Sequence, residues 1–202
     1  MGEREFRLSS LSDAAWADLQ AYAHPADAPL PEWYRVYYGT LAAIIEERQP
    51  RHVVELGVRA GYSSHTMLRA SPSSIVYGID GDLDERTENT HGGVQGQFRH
   101  ALLHLPRERF IFERRNTRDI QRLPPCDLVY VDADHTYEGA TRDLKLAAAC
   151  TSAILCDDYD SSPGVRQALD EFATVNPQWR TGYYGDEGRT IPGFVLLLKG
   201  DA

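Results

Sequence analysis

Two hydrophobic periodicities divide the chain. Over residues 11–23, Leu11, Ala15, Leu19 and Tyr22 recur at helical spacing, with Ser10 or Ser12 placed to cap the helix. Prolines 25 and 29 break that pattern. A second helix is predicted from Pro31 to about Arg48, burying Tyr34, Tyr37, Leu41 and Ile44 or Ile45. Beyond residue 50 the chain turns to short, continuous apolar runs at 52–57, 75–80, 109–113, 127–132 and 152–156. Runs without alternation mark strands covered on both faces. They are separated by 63–70, by a long polar stretch 83–105, and by 137–150, which carries Ala140, Leu144, Ala147 and Ala148 on one face. Residues 163–175 form a further helix through Val165, Leu169 and Phe172, and 179–184 with 193–199 read as a hairpin. Strand–helix alternation predicts an α/β fold: a doubly wound, mostly parallel sheet with a C-terminal antiparallel hairpin. Residues 1–49 would form a helical cap and 50–202 the core of one structural domain.

Composition narrows the class. A length of 202 residues suits one domain, and no apolar run approaches the roughly 20 residues that span a bilayer. Against 30 acidic residues stand 21 basic ones, a net charge of −9, so the chain repels nucleic-acid phosphates. Charged opening residues give no secretory signal, and Cys126, Cys150 and Cys156 lack a framework spacing. A cytoplasmic protein with reduced thiols is expected, binding neither nucleic acid nor membrane. Cys126 and Cys156, within or beside apolar strands, read as core residues.

In a doubly wound sheet ligands bind beyond the carboxyl ends of the strands, at the switch in strand order. The residues predicted there carry chemistry. The first strand ends in Glu55 and Gly57, and Gly61 and Ser63 open the next helix. The second ends in Asp80, the third runs into Thr117 and Arg118, the fourth ends in Asp132, Asp134 and His135, and the fifth in Asp157 and Asp158. Gly57 and Gly61 stand four apart, not in the Gly-x-Gly-x-x-Gly spacing of a dinucleotide site. Arg59 would crowd a pyrophosphate, and the Gly-Lys-Ser/Thr ending of a phosphate loop is absent. An ordinary strand-to-helix turn is the competing reading of the glycines. Asp80 favours a ligand, since an acid there can accept both hydroxyls of a ribose. A ribose acceptor without a pyrophosphate loop suggests a nucleoside cofactor lacking phosphates.

Residues 55–63, Glu-Leu-Gly-Val-Arg-Ala-Gly-Tyr-Ser, resemble the first motif of class I S-adenosylmethionine-dependent methyltransferases. The Gly-Tyr-Ser ending is similar to the small metal-dependent O-methyltransferases of the catechol and caffeoyl-CoA type. Residues 131–139, Val-Asp-Ala-Asp-His-Thr-Tyr-Glu-Gly, and the Asp157–Asp158–Tyr159 run resemble relatives that modify sugars and antibiotics. The resemblance covers about residues 50–199. It implies a Rossmann-like methyltransferase fold with S-adenosylmethionine held by Glu55, Gly57, Gly61 and Ser63 at the methionine end and Asp80 at the ribose. Thr117 and Arg118 would lie by the adenine, where the catechol enzymes have a Ser-Gln pair.

Three carboxylates, Asp132, Asp157 and Asp158, ending adjacent strands would repel one another unless a cation sat between them. Oxygen ligands suit Mg²⁺ or another hard divalent ion; loop or helix capping is the alternative for each acid. His135, three positions after Asp132, occupies the offset where the catechol enzymes have a lysine base. It titrates near neutrality and is the candidate general base, with Asp134 competing. The implied reaction is in-line methyl transfer to a hydroxyl of a small molecule with two neighbouring oxygens, a sugar diol or a catechol, which would suit natural-product biosynthesis. The alternatives are a metal-independent N- or O-methyltransferase, a non-catalytic nucleoside-cofactor-binding protein and a nicotinamide oxidoreductase. The sequence leaves substrate identity and oligomeric state open, a homo-oligomer included.

Overall fold

The computed structural model describes residues 8–81, 97–186 and 191–200. Its elements follow the order α1 (Asp13–Tyr22), α2 (Trp33–Arg48), β1 (His52–Leu56), α3 (Tyr62–Ala70), β2 (Ile75–Asp80), α4 (Phe98–His104), β3 (Phe110–Arg114), a 3₁₀ turn (Thr117–Asp119), β4 (Leu128–Val131), α5 (Tyr137–Ala148), β5 (Ala153–Cys156), α6 (Pro163–Val175), β6 (Trp179–Tyr184) and β7 (Phe194–Lys199). The seven strands lie in the order β3-β2-β1-β4-β5-β7-β6. The first five pair in parallel, while β7 runs antiparallel to both β5 and β6. The predicted sheet and hairpin are both present.

Period-two alternation sorts each strand between two cores. Val53, Leu128, Tyr130, Ala153 and Leu155 face one cluster with Leu41, Ile44 and Ile45 of α2 and Met67 of α3. Val54, Leu56, Val129, Val131 and Ile154 face the other, with Leu144 and Ala147 of α5 and Leu169 and Phe172 of α6. Both faces are covered, which is why the strands read as unbroken apolar runs.

The cap helices belong to the first layer. Ser12 caps α1 by accepting from the Ala15 N–H. Helix α2 starts at Trp33, later than Pro31, whose carbonyl accepts from the Tyr34 N–H in the turn before it. Of the polar stretch 83–105, residues 83–96 lie outside the described residues, and α4 follows them. Among the described residues no helix is long and apolar enough to cross a membrane.

The chain lays down β1, β2 and β3 toward one edge and returns to set β4 against the other side of β1. The switch in strand order therefore falls between β1 and β4, and a doubly wound sheet places its ligand crevice at the carboxyl ends there.

Candidate active site

The loop after β1 is shaped for close approach. Gly57 has φ +89°, and a Cβ there would lie 1.9 Å from the Asp132 carbonyl oxygen. Only a glycine lets the β1 and β4 ends meet across the crevice. Gly61 has φ +83° and precedes α3, and a Cβ there would lie 2.7 Å from the Ala101 Cβ and from the Tyr22 hydroxyl. From the end of β2, Asp80 closes the loop: its Oδ2 accepts from the Val58 N–H at 2.9 Å and the Arg59 N–H at 2.7 Å. Arg59 itself has φ +48°. Its side chain leaves the loop, donating from Nε to Gln97 Oε1 at 2.9 Å and placing its guanidinium 3.7 Å from Asp27.

Glu55 is fully buried and accepts from the hydroxyls of both Ser63 and Ser64. Burial raises its carboxyl to about 8, against the opposing effect of the two hydroxyls. The structure thus joins Glu55 and Ser63 to each other, fastening the first turn of α3 to β1. The cap holds the same loop from outside. Tyr22 donates to the Ala60 carbonyl at 2.7 Å, and Tyr62 donates to Asp27 at 2.7 Å while accepting from the His24 N–H.

Thr117 and Arg118 sit in the 3₁₀ turn beyond β3, where Asn116 Oδ1 accepts from the Arg118 N–H. Buried Thr117 accepts from Arg142 at 3.1 Å, and the Arg118 guanidinium lies 4.0 Å from Asp134.

The acids at the ends of β4 and β5 divide into two groups. Asp132, Asp158 and His135 converge, with His135 Nε2 3.2 Å from Asp132 Oδ1 and 3.0 Å from Asp158 Oδ2. One ligand atom from each lies within 4.8 Å of the others, a set able to hold a metal ion. The Asp132 contact raises the imidazole to about 9, and burial raises Asp132 to about 6. Asp157 takes a different direction. It is buried, its Oδ2 accepts from the Tyr130 hydroxyl at 2.7 Å and from the Tyr37 hydroxyl, and its Oδ1 accepts from the Asp158 N–H at 2.7 Å. Burial and the neighbouring Asp132 push its carboxyl well above the usual range.

Asp158 differs by its backbone: φ is +60° there, which turns its side chain away from that of Asp157 and toward His135. Asp134 accepts from the Thr136 N–H at 3.0 Å and hydroxyl at 2.7 Å. Burial opposes ionisation of Asp134, but these bonds and the nearby Arg142 hold it below the usual carboxylate range.

Tyr37 and Tyr130 are partners the motif reading missed. The signal was a tyrosine inside the apolar run 128–131, since a buried phenol needs an acceptor. Cys126, read as core, is half-buried beside Cys150, whereas Cys156 is buried as expected.

A doubly wound sheet with a glycine turn, an acid ending β2 and an acid cluster across the switch point defines a Rossmann-like methyltransferase architecture. The chain belongs to the family described as "Methyltransferase domain", whose profile matches residues 54–159. Solved structures agree on the fold. A Klebsiella pneumoniae protein assigned as an O-methyltransferase is 19% identical, with TM-score 0.63 over 95% of this chain and 92% of its own. The O-methyltransferase TomG of Streptomyces achromogenes, involved in tomaymycin synthesis and solved with S-adenosylmethionine, is 18% identical, with TM-score 0.61 over 95% and 92%. A Bacillus cereus O-methyltransferase solved with S-adenosylhomocysteine is 17% identical, with TM-score 0.59 over 94% and 92%. No curated protein matches the sequence.

Proposed function

We propose that the chain is an S-adenosylmethionine-dependent O-methyltransferase acting on a hydroxyl of a small molecule. The observation that carries this reading is the juxtaposition, across the β1–β4 switch point, of the Asp80-closed glycine loop and the Asp132–His135–Asp158 cluster. TomG and the Bacillus cereus protein, of the same fold, were solved with the methyl donor or its demethylated product. The crevice suits such a ligand. Asp80 ends β2 beside the glycine loop, the position from which an acid can accept from the hydroxyls of a ribose. A small-molecule acceptor fits the net charge of −9, which disfavours nucleic acid.

The donor set of the cluster fits a divalent cation. Two carboxylates suit Mg²⁺ or Mn²⁺, and the imidazole shifts the preference toward Mn²⁺. Asp132 and Asp158 would hold the ion, with His135 as third ligand, while Asp157 supports Asp158 through its backbone N–H. Such an ion, when bound, lowers the pKa of a hydroxyl brought against it. The chain's own groups set the remaining roles. Without an ion, His135 Nε2 lies between the two carboxylates and is the proton-handling group; as a metal ligand through Nε2 it would have to give that proton up. Asp134, satisfied by Thr136 and depressed in pKa, is the weaker base and serves to start α5.

A metal-independent methyltransferase is the second reading, favoured by one observation: His135 Nε2 already lies between Asp132 and Asp158, at 3.2 and 3.0 Å, where a protonated imidazole would balance part of their charge. Calorimetry separates the two. S-adenosylhomocysteine should bind wild type and lose about 10-fold or more in affinity in Asp80→Ala, as expected for losing hydrogen bonds to a charged group. Unchanged affinity would remove Asp80 from the ribose site. Mn²⁺ and Mg²⁺ titrated into wild type and Asp158→Asn should bind only the former. No binding to either protein overturns the metal and leaves the metal-independent enzyme.

A further inference from the structure

The amino edge of the sheet, opposite the crevice, carries a pair of thiols with no part in the chemistry above. Cys126 precedes β4 and Cys150 follows α5, 24 residues later, and their sulfurs lie 3.9 Å apart. Both are half-buried at the margin of the second core, so a small reagent can reach them. Cys150 donates to the Ala147 carbonyl at 3.3 Å, which leaves the Cys126 S–H to point at the Cys150 sulfur. That donation lowers the pKa of Cys150 and raises that of Cys126, so Cys150 is the thiol that ionises first. A disulfide needs sulfurs about 2.05 Å apart, a closure of about 2 Å that side-chain torsions on two loop residues can supply. The third thiol, Cys156, is fully buried and pushed up by burial, and it has no sulfur partner among the described residues.

We propose that Cys126 and Cys150 form a reversible intramolecular disulfide when the protein meets a peroxide. The Cys150 thiolate attacks one peroxide oxygen and breaks the O–O bond. It becomes a sulfenic acid and releases hydroxide, which takes up a proton to give water. The Cys126 sulfur then attacks the sulfenic sulfur, forming the S–S bond and expelling a second water. Two thiols lose two electrons and one peroxide is reduced to two waters. The bond closes residues 126–150 into a covalent ring containing β4, α5 and, between them, Asp132, Asp134 and His135. It staples the unit that carries half of the site without touching that site.

The test is mild oxidation of the full chain at low micromolar concentration with hydrogen peroxide, followed by thiol counting in denaturant and intact-mass analysis. Free thiols should fall from three to one, mass should drop by about 2 Da, and peptide mapping should join 126 to 150. Dithiothreitol should restore all three. The oxidised protein should melt about 5–10 °C higher, as expected when a loop of this length is closed in a chain of this size. Cys126→Ser should stop at the sulfenic acid, trapped by dimedone on Cys150 alone. Three remaining thiols, a mass gain without a crosslink, a dimer linked between chains, or a dimedone adduct on Cys156 in place of Cys150 would each overturn the proposal. So would a crosslink that lowers the melting temperature.

Discussion

Replacing Glu55 by glutamine should stabilise the protein at alkaline pH and do little at acid pH. Glu55 is fully buried, and its side-chain partners among the described residues are the hydroxyls of Ser63 and Ser64. In the unfolded chain it titrates at the ordinary 4.5; in the fold burial moves it to about 8. The folded state therefore keeps a proton that the unfolded state releases, and stability falls as pH rises through that interval. At 1.36 kcal/mol per pH unit the full cost approaches about 5 kcal/mol above pH 8, and relaxation around the charge brings the expected effect to about 2–3 kcal/mol. Below pH 4.5 both states are protonated and the cost vanishes. Glutamine keeps the shape, offers the serines an acceptor and never ionises. Urea unfolding followed by circular dichroism at pH 5.0 and 8.5 measures the difference. The variant should match wild type at the lower pH and gain about 2–3 kcal/mol at the higher. A variant equally destabilised at both would show that Glu55 is ionised throughout, held by Ser63 and Ser64, and the reasoning would fail.

Gly57→Ala should cost more than about 3 kcal/mol, or prevent folding, because φ +89° and the Asp132 carbonyl both exclude a Cβ. Gly182→Ala is the control: its nearest contact would be 3.6 Å away, and melting should change little. Burial lowers the pKa of His65, which pairs with Asp18, and of His100, which donates to the Tyr22 carbonyl. The unfolded chain takes up protons at 6.5 that these imidazoles refuse, so their contribution is present above that pH and lost as pH falls below it. His65→Gln and His100→Gln should flatten the fall in urea midpoint between pH 7.5 and 5, and an unchanged slope would exclude both from it.

How far the sequence could be read depended on the range of the interactions. Continuous apolar runs and helical spacing located the strands and the helices other than α4 within a few residues, because each of those elements announces burial through its own neighbours in sequence; α4 fell in a stretch read only as polar. Pro31 misplaced the start of α2, since a proline suits the turn before a helix as well as its first turn. The carboxyl-end rule put Asp80, Asp132 and Asp158 at the crevice. It could not separate Asp157 from Asp158: consecutive residues point apart, and which one turns to Tyr37 depends on the positive φ of Asp158 and on a helix 120 residues away. Cys126 packs against the second core as read, but its neighbour Cys150 lies beyond β4 and α5, a pairing that spacing alone does not reveal.

The switch in strand order also governs when the site can exist. Strand β1 is made early, yet its second neighbour β4 follows some 75 residues later, and Asp127 bonds the Arg51 and His52 N–H groups only once that whole excursion has closed. Such long closures carry a large entropy cost and slow folding. Gly57 meets Asp132 at that same seam, so a partial fold of β1 to β3 holds the Asp80-closed glycine loop without the acids that face it. Donor loop and acid cluster therefore come together only when β4 returns beside β1, and the complete site reports completion of the sheet's central pairing.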